Sequence, residues 1–62
     1  MHILGYFIYR LYDNQLVIWD NNNTLKNPDV LINYLITEGF IEPKNYHILI
    51  RRKYGSEKAN TY

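Results

Sequence analysis

Cysteine is absent from the 62 residues, which excludes disulfides and thiolate metal sites. Serine occurs once, as Ser56 near the C-terminal end, so a serine nucleophile with a neighbouring base is not expected. The three glycines stand alone, and none belongs to a glycine-rich phosphate loop. No run of about 18 apolar residues offers a membrane span. The first residues lack the basic stretch, apolar run and small-residue cleavage site of a secretory signal. The expectation is a soluble, cytoplasmic protein.

Alanine and valine are also scarce, with one Ala and two Val against eight Asn, eight Ile, seven Tyr and four Lys. The abundant residues have A/T-rich codons, and small cysteine-free frames of that composition are common in phages and mobile elements. A phage-encoded inhibitor of a host protein or defence system, acting in the host cytoplasm, fits that pattern.

What is present argues for a folded domain: 47% of residues are hydrophobic and 16% aromatic. A chain of 7.5 kDa should bury roughly 6,600 Å² on folding. At ~25 cal/mol per Å² of apolar area that is worth on the order of 95 kcal/mol. Ordering the chain costs roughly 93 kcal/mol. The near cancellation, with no disulfide available, points to a partner or a second copy as the missing support.

Along the chain, residues 2–12 (HILGYFIYRLY) read as a first strand and residues 15–19 (QLVIW) as a second. Asp13-Asn14 between them suits a two-residue turn with both residues at positive φ. Asn27-Pro28-Asp29 has the marks of a helix start, and the helix should run from Pro28 to about Glu38, with Gly39 ending it. Residues 45–54 (NYHILIRRKY) read as a third strand. The expectation is one α+β domain over residues 1–55, ordered ββαβ, followed by a polar tail over 56–62. The helix would cover one face of a three-stranded sheet in the order 2-1-3, with the long first strand central.

With Tyr12 opposite Gln15, one sheet face carries Ile3, Phe7, Tyr9, Leu11, Leu16 and Ile18, joined by Tyr46, Ile48 and Ile50. This face is assigned to the helix. The other is left open, and its candidate partner-binding residues are Tyr6, Arg10, Tyr12, Val17, Trp19, Leu49, Arg51 and Lys53. Aromatic and arginine residues on an uncovered face mark an interaction surface. The second strand, placed at an edge without proline or lysine, should invite strand pairing. An aromatic face on a ββαβ sheet resembles the sheets that bind RNA, although none of their sequence motifs is present.

Catalysis is not expected. His2 and His47 are the only histidines, the carboxylates fall at turns and helix ends, and no cofactor or metal site is indicated. Charge is sorted along the chain: residues 1–43 carry two Lys/Arg and five Asp/Glu, whereas residues 44–62 carry five and one. The leading expectation is therefore a non-enzymatic protein-binding domain, a homodimer with a protein target. The alternative is a small nucleic-acid-binding domain using Arg10, Arg51, Arg52, Lys53 and the aromatic residues.

Overall fold

The computed structural model describes residues 1–53 in full and residues 55–61 as backbone. It contains β1 (His2–Ile3), β2 (Tyr6–Tyr12), β3 (Gln15–Asp20), α1 (Pro28–Thr37), β4 (His47–Arg52) and β5 (Gly55–Thr61). The strands form one sheet in sequence order. Only β3 and β4, joined through α1, are parallel; the other neighbours are antiparallel.

The α+β class and the single helix agree with the sequence reading, but the 2-1-3 order does not. The second predicted strand, β3, lies between the other two, and it pairs directly with β4. Leu16, Val17 and Ile18 are all buried. A continuous apolar run of this kind suits a strand paired on both edges, with α1 over one side and neighbouring side chains shielding Val17 on the other. The unguarded edge expected at Leu16–Trp19 therefore does not exist.

The first predicted strand is two. Leu4 and Gly5, at φ of 53° and 87°, make a tight reversal that pairs Ile3 with Tyr6. These left-handed values at two successive residues are the backbone expected earlier for Asp13-Asn14. Asp13 and Asn14 do join β2 to β3, but positive φ among the described non-glycine residues occurs only at Leu4 and Asn23. The strand twist is instead accommodated by an irregularity at Leu11: Arg10 pairs with Leu16, and Tyr12 with Gln15.

Residues 55–61, of which 56–61 were expected in a polar tail, pair along β4. This satisfies a row of β4 backbone groups that would otherwise be exposed at an edge. Tyr54 and Tyr62, read as the end of the third strand and of the tail, lie outside the described residues.

The helix follows its local signals. The Asn27 side chain accepts from the Asp29 backbone N–H at 3.1 Å, with Pro28 in the first turn. At the other end Gly39 adopts φ of 80°, Phe40 N–H donates to the Leu35 carbonyl at 2.9 Å, and Gly39 N–H to that of Ile36 at 3.1 Å. These two bonds satisfy carbonyls that the last turn leaves unpaired.

Leu31, Ile32 and Leu35 of α1 pack on Ile8, Leu16, Ile18, Ile48 and Ile50 of the sheet, with Leu25, Ile41 and Tyr46 closing the core. Tyr46 is fully buried and its hydroxyl donates to the Glu42 carbonyl at 2.7 Å. Among the described residues, no helix is long and apolar enough to cross a membrane.

Candidate functional site

The pairing register decides which side chains share the face away from α1. On β3 and β4, alternation sends Leu16, Ile18, Ile48 and Ile50 to the core and leaves Val17, Trp19, Leu49 and Arg51 on the opposite side. That much agrees with the sequence reading. On β2 the faces are exchanged. Because the irregularity at Leu11 adds a residue, Ile8 lies opposite Ile18 and enters the core, while Phe7 lies opposite Trp19 and Tyr9 opposite Val17. Phe7 and Tyr9, assigned to the core from sequence, thus belong to the open face. Tyr6, assigned to the open face, packs instead against the core, beside Ile8.

The open face is built in rows of cross-strand neighbours. One row runs His2–Phe7–Trp19–Arg51 across β1 to β4. Within it the His2 and Phe7 rings lie 4.7 Å apart, and the Arg51 guanidinium sits 4.9 Å from the Trp19 ring centre. The next row is Tyr9–Val17–Leu49, with the Tyr9 ring 5.7 Å from that of Phe7. The third is Tyr12–Gln15–His47. Adjacent rows are two residues apart along β3 and β4, or roughly 6.6 Å, whereas on β2 the extra residue Leu11 sets Tyr12 three residues from Tyr9.

Val17 is fully buried beneath its neighbours, Phe7 is 38% exposed and Tyr12 71% exposed. Tyr9, Trp19 and Leu49 are partly exposed, whereas Arg51 and His47 are exposed. The surface is therefore an aromatic platform with a cation lying on one of its rings.

The remaining candidates go elsewhere. Tyr6 bonds the Thr24 hydroxyl at 3.1 Å and lines an open cleft of about 450 Å³ beside Leu4, Leu25, Val30 and Tyr34. Arg10 lies opposite Leu16, so its register position is on the helix side. Lys53 occupies the turn after β4. The Lys58 side chain lies outside the described residues.

Arg52, adjacent in sequence to Arg51, points to the other side and serves the fold. It donates to Asp20, to the Asn23 side chain and to the Leu25 carbonyl. Asp20 is 1% exposed and also accepts from the backbone N–H groups of Thr24 and Leu25, each at 2.9 Å. Burial pushes the Asp20 carboxyl up, but the bonds from Thr24 and Leu25 and the Arg52 charge outweigh it and hold the group below its ordinary value. Lys44 is paired with Asp13 at 3.2 Å.

Sequence reasoning missed Phe7 and Tyr9 because an extra strand residue changes side-chain parity without changing composition. The apolar-aromatic alternation of residues 6–9 fits either face. No group of three His, Asp or Glu side chains suited to a metal ion occurs among the described residues. Compared with protein-family models, curated proteins and solved structures, the chain matches none.

Proposed function

We propose that this chain is a non-enzymatic binding domain whose working surface is the open sheet face. The observation that carries this reading is the juxtaposition of Phe7, Tyr9, Trp19 and Arg51 on three adjacent strands, opposite the face that α1 covers. Two aromatic rows beside a cation form the kind of surface that binding partners bury most productively. Of the two surfaces the sequence offered to a second copy or a protein target, face and edge, the internal position of β3 leaves the face.

Photo-crosslinking tests the surface without prior choice of partner. Benzoylphenylalanine introduced at the position of Tyr9 or Tyr12 should form adducts in cells. The same probe at Val30, which is 66% exposed on the helix, should not. Equal adducts from the two sides, or none from the sheet face, would remove the reading.

A further inference from the structure

We infer that the open face binds single-stranded RNA, about two or three nucleotides at a time. This rests on the reading of that face as the binding surface and assigns it a ligand class.

The first argument is the distribution of charge by face. Among the described side chains, every carboxylate lies off the platform. Asp20 is buried with Arg52, Asp13 is in the hairpin turn with Lys44, Asp29 is in the first helical turn, and Glu38 and Glu42 are at and beyond the helix end. The platform itself carries the Arg51 guanidinium and two imidazoles, those of His2 and His47. A polyanion meets the Arg51 charge there and no carboxylate among the described side chains.

The second argument is shape. Phe7, Tyr9 and Trp19 present ring surfaces on neighbouring strands, and bases stack on such surfaces with little dependence on sequence. Arg51 over Trp19 adds a guanidinium plane to the platform, which a base can also use. The third row, Tyr12–Gln15–His47, adds polar groups beside the aromatic rows. Hydroxyl, amide and imidazole groups can engage a ribose 2′-hydroxyl, which is the chemical difference between RNA and DNA.

The same features disfavour other occupants. Duplex grooves are read by a protruding helix or ribbon, whereas α1 packs on the far side of this sheet. A second copy would bring the same Arg51 guanidinium and no described carboxylate to pair with it on desolvation. An acidic peptide would satisfy Arg51 but offers no systematic use for three adjacent rings.

Trp19 is the sole tryptophan, so its emission reports directly on the platform. The full chain is titrated at low salt with oligouridylate, oligothymidylate of equal length, duplex RNA and polyglutamate. Oligouridylate should change Trp19 emission, with log affinity falling against log salt by a slope of about −0.7 per phosphate neutralised.

Phe7→Leu keeps apolar bulk but removes a ring, and should weaken binding by about fivefold or more. Arg51→Glu should weaken it by about tenfold or more. Lys26→Glu makes the same change in net charge at an exposed site beside α1 and should leave affinity within about twofold. Circular dichroism confirms that each variant is folded.

An unchanged emission with oligouridylate overturns the inference. Polyglutamate binding as tightly as RNA overturns it, as does an equal loss in Lys26→Glu. Equal affinity for oligothymidylate or duplex overturns the choice of single-stranded RNA. Nuclease-resistant protein adducts from the position of Tyr9, with no RNA titration, would assign the face to a protein and leave the binding-domain reading standing.

Discussion

Asp20 is where the end of β3, the following loop and β4 are fastened together. Its two oxygens accept from Thr24, Leu25 and Arg52, so the ionised carboxylate is the form the fold requires. A folded-state pKa below the unfolded value of ~3.9 means that this stabilisation is present above about pH 4. It is lost as pH falls through the lower, folded value. Asp20→Asn should cost about 2 kcal/mol at neutral pH, because Arg52 and two backbone donors lose a charged acceptor. Urea midpoints recorded against pH should show the difference from the native chain narrowing below pH ~4, and a constant difference down to strong acid would contradict this. Leu4 presents the opposite situation: a large apolar residue, 66% exposed, held at φ of 53°. Left-handed backbone disfavours leucine and tolerates asparagine, so Leu4→Asn should stabilise the chain by about 1 kcal/mol in urea unfolding. A lower midpoint would show that the contacts Leu4 makes beside the cleft outweigh its backbone strain.

At the scale of elements, α1 was readable because its signals are local. Asn27, Pro28 and Gly39 each act within one turn of the chain, and the structure uses each in the expected way. Gly39 has open space where a Cβ would stand, so the cost of Gly39→Ala is conformational rather than steric. It should lower stability by about 1 kcal/mol, read as a shift in urea midpoint with the slope unchanged. The sheet was less readable because its decisive contacts are distant in sequence. Composition identified the runs around Phe7, Ile18 and Ile50 but did not state which strand lies between the other two. The parity of β2 turned on a single residue, Leu11, and the Leu4-Gly5 reversal was hidden inside an apolar run. Even so, Val17, Trp19, Leu49 and Arg51 were placed together correctly, since β3 and β4 pair without any shift of register.

For the whole molecule, the relevant question is whether the sheet face must be covered for the chain to fold. The folded chain exposes 4299 Å², close to the ~4,200 Å² expected for a monomer of its mass. The core comprises residues from the helix, the sheet and the connecting loops, and Val17 is shielded by its own neighbours on the open side. The expected outcome is a chain that folds without a second copy, on the narrow energetic margin of so short a sequence. Sedimentation at micromolar concentration, without nucleic acid, should give a folded species of 7.5 kDa, with thermal unfolding independent of protein concentration. A midpoint that rises with concentration, accompanied by doubled mass and a shift in Trp19 emission, would show that the platform is occupied by its own copy. With a monomer, the aromatic rows remain available at the concentrations where a short RNA would bind, and the same Trp19 signal distinguishes the two occupants.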